Sequence, residues 1–125
     1  MVMSNADVAA TWVKGLAGDW ALLEALSSPT MRVWHSHDNM WLTRAEGAAR
    51  MAEAAHRQAA SGDVVVPPSF ADVRAIATES GFVVQGSIDH LSGQSGRAHI
   101  VQICTVVDGL IESCEEFIAP EMPLG

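Results

Sequence analysis

Tyrosine is absent from this chain of 125 residues, lysine and arginine together number only seven, and cysteine occurs twice. Each shortage removes a class of function. The seven cations are scattered among 15 acidic residues, for a net charge of −8. Nucleic-acid binding needs a basic stripe to neutralise phosphates, and none is present, so no such partner is expected. No apolar run approaches the ~20 residues of a membrane-spanning helix, and Arg32, Arg44 and Arg50 interrupt the first half. No membrane partner is expected either. The opening Met1-Val2-Met3-Ser4 lacks the basic and long apolar regions of a secretory signal, so the expected location is cytoplasmic.

The two cysteines, Cys104 and Cys114, flank Asp108-Gly109, the signature of a two-residue type I′ hairpin. Uninterrupted pairing outward from that turn sets Ile103 opposite Cys114 and Cys104 opposite Ser113. Alternation along the strands then sends the two sulfurs to opposite faces of the sheet, so both are expected as unlinked thiols.

What the chain does have is apolar content: 49% of it is hydrophobic, enough for one ordered domain spanning residues 1–125. Ser4 with Asp7 is a capping-box variant opening a helix whose apolar face is Ala9, Trp12, Val13 and Leu16. Gly18 breaks it, and Asp19 is placed to cap a short second helix carrying Leu22, Leu23 and Leu26. Met31 to His37 reads as a strand. Thr43 with Glu46 opens a third, alanine-rich helix to about Ala60, ended by Ser61-Gly62. Pro67-Pro68 forces an extended or turned connection. Four strand-like runs follow: Phe70–Glu79, Gly81–Leu91, Arg97–Val107 and Leu110–Ala119, with Gly93-Gln94-Ser95-Gly96 as a turn. Helices first and antiparallel strands later indicate an α+β layer architecture.

This order resembles the nuclear-transport-factor-2-like superfamily that includes ketosteroid isomerase. The carriers are Ala17-Gly18-Asp19 between two helices, a strand ending near Trp34-His35, a third helix, and a meander through Val107-Asp108-Gly109-Leu110-Ile111. The tail Glu115-Glu116-Phe117-Ile118-Ala119-Pro120 is similar to the usual acidic-acidic-aromatic-apolar-Asp-Pro ending, with Ala119 replacing the Asp. Trp34-His35-Ser36-His37-Asp38, with Val73-Arg74 and Gly81-Phe82-Val83, looks like the SnoaL-like polyketide-cyclase branch. The resemblance implies a cone-shaped, curved, mostly antiparallel sheet wrapped around N-terminal helices, enclosing an apolar pocket.

The resemblance also assigns roles. His35 falls at the end of the first strand, facing the cavity, where ketosteroid isomerase carries its general-base Asp. An imidazole suits proton abstraction near neutrality. A histidine hydrogen-bonded at the pocket rim is the competing reading. In the hairpin register above, Val101 faces Glu116 and His99 faces Ile118. One face then carries His99, Val101, Ile103, Cys114 and Glu116, and the other Ile100, Gln102, Cys104, Val106, Ile111 and Phe117. Hydrophobicity does not choose between them; the resemblance puts Glu116 inside, where epoxide hydrolases of the superfamily hold a catalytic carboxylate. His99, diagonal to it at ~7–8 Å, would be its acid–base partner or one half of a structural ion pair.

Trp12, Trp34, His37, Val101, Ile103 and Cys114 would line the pocket, although such tryptophans also serve as plain core. His35 and His37, two apart on a strand, share a face and suit a metal if His99 or Glu116 joined them. The superfamily usually works without one, so no metal and no cofactor are expected. Whether Gln85 or His90 faces the pocket stays open. The chain also departs from its relatives: it has no tyrosine, and Ile103 stands where ketosteroid isomerase has a protonated Asp, so both oxyanion donors of that enzyme are missing.

The expected function is a cofactor-free acid–base enzyme of isomerase, dehydratase (lyase) or cyclase type, acting on a small, mostly apolar molecule in an enclosed pocket. The alternatives are a non-catalytic small-molecule-binding module or a dimerisation module of the same fold. A homodimer is expected through an outer sheet face carrying Ile100, Val106, Ile111 and Phe117.

Overall fold

A computed structural model describes residues 2–62, 69–89 and 97–121. Helix α1 (Asn5–Leu16) starts where the Ser4 hydroxyl accepts from the Asp7 N–H. It buries Val8, Ala9, Trp12 and Leu16 along one stripe. Helix α2 (Trp20–Leu26) follows; Asp19 stands at its N-cap position, but its side chain makes no capping hydrogen bond. Strand β1 (Ser27–His35) begins four residues earlier than the apolar pattern suggests and stops at His35. Residues 36–39 then turn back into a short strand β2 (Met40–Thr43), which has no counterpart in the sequence reading. Asn39 takes φ 55 in this turn, and its side-chain oxygen accepts from the Trp34 indole N–H at 2.9 Å.

Helix α3 (Arg44–Ala60) opens on the reciprocal Thr43–Glu46 capping box. The Thr43 backbone and hydroxyl hydrogen bonds hold the Glu46 carboxyl below its ordinary range. Strands β3 (Ser69–Ala77), β4 (Gly81–Asp89), β5 (Arg97–Val107) and β6 (Leu110–Pro120) complete a six-stranded sheet in the order β2-β1-β6-β5-β4-β3. Pairing is antiparallel throughout except between β1 and β6, which run parallel. The expected turn at 93–96, Pro67-Pro68, Leu91 and His90 lie outside the described residues.

The α1–α2 hairpin packs on one face of the sheet. Val8, Trp12, Leu16 and Leu26 close over Met31, Phe82, Val84, Cys104, Ile111 and Cys114 in one buried cluster. Each fully buried aliphatic or aromatic side chain there contributes roughly 1.5–3 kcal/mol. Among the described residues, no helix is long and apolar enough to cross a membrane.

One irregularity decides which residues face this core. The turn is as expected: Asp108 and Gly109 both take positive φ, 52 and 78, as a type I′ turn requires. Val107 then pairs with Leu110 and Val106 with Ile111, but Thr105 pairs with Ser113. Glu112 is the extra residue of a β-bulge. Its carboxylate accepts from the Thr30 hydroxyl at 2.6 Å, and bonds from Thr30 and Ser28 hold its carboxyl below the ordinary range. Beyond the bulge Cys104 pairs with Cys114, Gln102 with Glu116, Ile100 with Ile118 and His99 with Ala119.

The consequences overturn half of the expected hairpin. Ile100, Gln102 and Cys104 face inward and are buried, while His99, Val101 and Ile103 are exposed on the other face. Val106 and Ile111 join the core rather than an outer patch. The two cysteines are cross-strand neighbours on one face, both buried and both free thiols.

Candidate functional site

Strand pairing builds a polar row across the inner face. Parallel pairing of β1 with β6 sets Val33 beside Cys114 and His35 beside Glu116. Antiparallel pairing sets Glu116 beside Gln102, and Gln102 beside Val84. Helix α1 lays Trp12 over the buried end of this row, with its ring 6.3 Å from that of Phe82.

Hydrogen-bonding capacity fixes the orientation of Gln102 between Trp12 and Glu116. An indole can only donate, so the Trp12 Nε1–H, 2.9 Å away, must meet the oxygen of Gln102. The amide nitrogen of Gln102 is thereby directed at Glu116 and donates to Oε2 at 2.6 Å. Glu116 is left with Oε1 facing His35, whose Nε2 stands 3.6 Å away. That distance is too long for a direct hydrogen bond, so the two groups face each other as ion-pair neighbours. Both side chains are partly open, at 25% for His35 and 15% for Glu116. The backbone reinforces the arrangement: the Ser36 N–H donates to the Glu116 carbonyl, and the Ser36 hydroxyl accepts from the Ile118 N–H, each at 2.9 Å.

The row continues to the surface. The His35 and His37 rings lie 5.3 Å apart between centroids. His37 is in the turn after β1 rather than on the strand, and its Nε2 is 3.6 Å from Asp38 Oδ2. Asp38 also accepts from Arg50 of α3 at 3.0 Å and from the Met40 N–H at 3.2 Å. No cluster of three or more His, Cys, Asp or Glu side chains suited to a metal occurs among the described residues.

The structure thus brings together Trp12, His35, His37 and Glu116, with Cys114 one step along the same face. It does not bring in His99, which sits on the opposite face with its ring 3.1 Å from Glu121. Val101 and Ile103 leave with it, because the bulge reverses β5 relative to β6. Trp34 alternates away from His35 and packs edge-on against Phe117, with centroids 5.1 Å apart. Gln85 also faces outward, accepting from Arg74. Gln102 is the residue that sequence reasoning missed. A signal was present in the spacing of Ile111 and Cys114, two apolar residues three apart, which breaks strict alternation. A cavity of about 400 Å³ lies elsewhere, between α1 and β3, lined by Ala9, Ala10, Val13 and Ala75 among others, and none of its lining residues belongs to the polar row.

No protein-family model matches the sequence. A sequence search of curated proteins also finds no match. Solved structures do match. An NTF2-like protein of unknown function from Burkholderia xenovorans LB400 superposes with a TM-score of 0.68 at 10% identity, over 97% of this chain and 87% of that one. The chain has the cystatin-like, NTF2-like fold. A candidate ketosteroid isomerase from Kribbella flavida DSM 17836 shares this NTF2-like architecture at 23% identity and a TM-score of 0.59, covering 94% of this chain and 81% of that one. A candidate SnoaL-like polyketide cyclase from Jannaschia sp. CCS1 does so at 15% identity and a TM-score of 0.64, over 91% and 84%.

Proposed function

We propose that this NTF2-like chain is an acid–base enzyme of isomerase, dehydratase or cyclase type, acting on a small, mostly apolar molecule. The observation that carries the reading is the carboxylate of Glu116, held on one oxygen by Gln102 and presented on the other to His35. A fixed carboxylate beside an imidazole is a proton-transfer pair: one group takes a proton from a substrate carbon or hydroxyl while the other returns it. Trp12 and the surrounding apolar side chains supply the dry side of the site, where such transfers gain most. The partly exposed edges of His35 and Glu116 supply the entry. Structural neighbours described as a candidate isomerase and a candidate cyclase support the same class of chemistry without naming a substrate.

A second reading, a non-catalytic binding module, has one observation in its favour. The Trp12 N–H is engaged by the Gln102 oxygen and a Gln102 N–H by Glu116, so neither hydrogen is free for a developing oxyanion. Hydrogen–deuterium exchange at the α-carbon of small cyclic ketones and enones, followed by NMR in heavy water, separates the two. The enzyme reading expects catalysed exchange that falls ~10²–10⁴-fold in His35→Ala, the usual weight of one acid–base group, with probe affinity changed far less. An unchanged rate removes His35 from the chemistry, and a loss of affinity alone favours the binding module.

A further inference from the structure

Next to the Gln102–Glu116 pair along the inner face lies a pair that the proposed chemistry does not use, Cys104 and Cys114. The backbone identifies what kind of pair it is. The Glu116 carbonyl and the Ile118 N–H both bond to Ser36, so the even-numbered residues of β6 turn their main-chain groups toward β1 and away from β5. On the other strand the Val106 N–H donates to the Ser80 carbonyl at 2.9 Å, so the even-numbered residues of β5 turn toward β4. Cys104 and Cys114 share that parity and therefore oppose each other without main-chain hydrogen bonds between them. Such pairs bring Cα atoms to about 4.5 Å, with the side chains closest. A disulfide spans about 4.4–6.8 Å between Cα atoms, so no strand movement is needed to close one.

We propose that Cys104 and Cys114 are a modification site: an oxidisable dithiol whose disulfide staples β5 to β6 immediately beside the Gln102–Glu116 pair. The oxidant is a peroxide, small enough to reach two nearly inaccessible sulfurs. One thiolate attacks a peroxide oxygen, the O–O bond breaks, and a sulfenic acid forms with release of water after proton uptake. The second thiol attacks that sulfur and expels a second water, leaving the S–S bond. In sum, two thiols and one hydrogen peroxide give one disulfide and two waters. The reaction is slow and selective rather than fast, because the hydrogen bond to Cys104, burial and the charge of Glu116 push the Cys114 thiol up, away from the reactive thiolate.

The test treats the folded protein with hydrogen peroxide, quenches it, then unfolds it and counts alkylatable thiols. Alkylatable thiols are expected to fall from two to none and to return fully with dithiothreitol, with a peptide map joining Cys104 to Cys114. Closing this short loop should raise the unfolding temperature by roughly 5–10 °C. The rise should be absent in Cys104→Ser, whose remaining thiol stays alkylatable or is lost irreversibly. Disulfides linking separate chains, irreversible loss of both thiols in the native sequence, or oxidation only after unfolding in urea would each overturn the proposal. None of these outcomes depends on whether the chain is an enzyme.

Discussion

Replacing Gln102 by Glu changes one atom type at the centre of the polar row and should set two carboxyl groups against each other. The Trp12 N–H still finds an oxygen, so that hydrogen bond survives. The other oxygen, in place of the amide nitrogen, now faces Glu116 Oε2 across the 2.6 Å contact. Two carboxylates at that distance cannot both be ionised, and the pair keeps one proton that the unfolded chain has already released. The folded state of Gln102→Glu then binds one more proton than the unfolded state above about pH 5. Stability should fall as pH rises, by up to about 1.4 kcal/mol per pH unit, or ~3 kcal/mol between pH 5 and 7. Glu116 is 15% exposed, which makes these upper values. Urea unfolding of both proteins at pH 5, 6 and 7 measures the effect as a difference in midpoint at constant m. A difference that stays flat across this range would refute the Trp12–Gln102–Glu116 arrangement itself.

Two further outcomes follow from the surface and the caps. The outer sheet face carries exposed Ile76, Val101, Ile103 and Phe117, with Glu115 on β6 and Arg74 on β3 flanking this apolar centre. We propose a homodimer there, burying this apolar centre. Ile103→Glu should give a monomer in sedimentation, and a native chain that is monomeric at high micromolar concentration would exclude the assembly. Ile100 and Val106 take no part, because both point into the core of their own chain. At the start of α3, Thr43→Ala should remove roughly 1 kcal/mol from the helix, seen as faster amide exchange over its first turns. Because the Glu46 carboxyl is held low by Thr43, its contribution is complete above the ordinary glutamate range and disappears as pH falls through the lowered value. Native-protein exchange in this turn that is insensitive to acid down to pH 2 would contradict that coupling.

Local chemistry was legible in the sequence wherever a residue acts on its near neighbours. Ser4, Thr43 with Glu46, and Asp108-Gly109 specify their own caps and turn, and the bounds of β5 and α3 follow from them. His35 and Glu116 come together because β1 lies beside β6; the family resemblance implied a shared cavity for them but not this strand pairing, and no local pattern shows it. What failed was long-range parity. Alternation carried from a correct turn through an unrecognised bulge reversed β5, sending His99, Val101 and Ile103 outward and hiding Gln102 and the facing thiols. β2 was missed because Met40–Thr43 is short and its side chains are mostly exposed, so burial imposes little pattern on it.

Glu112 makes the hairpin behave like two reading frames joined by a one-letter insertion. Exchanging Glu112 for another polar side chain loses only its tether to Thr30. Deleting it would leave Ile111, Ser113 and Cys114 in plain alternation, with Thr105 still opposite Ser113 and Gln102 still opposite Glu116. The frame is lost only if the residue stays and the bulge is ironed out: a slip that paired Thr105 with Glu112 would turn Glu115 inward in place of Glu116 and carry Phe117 away from Trp34. The inward row is thus compatible with two lengths of strand, and the extra residue is safe only while it remains unpaired.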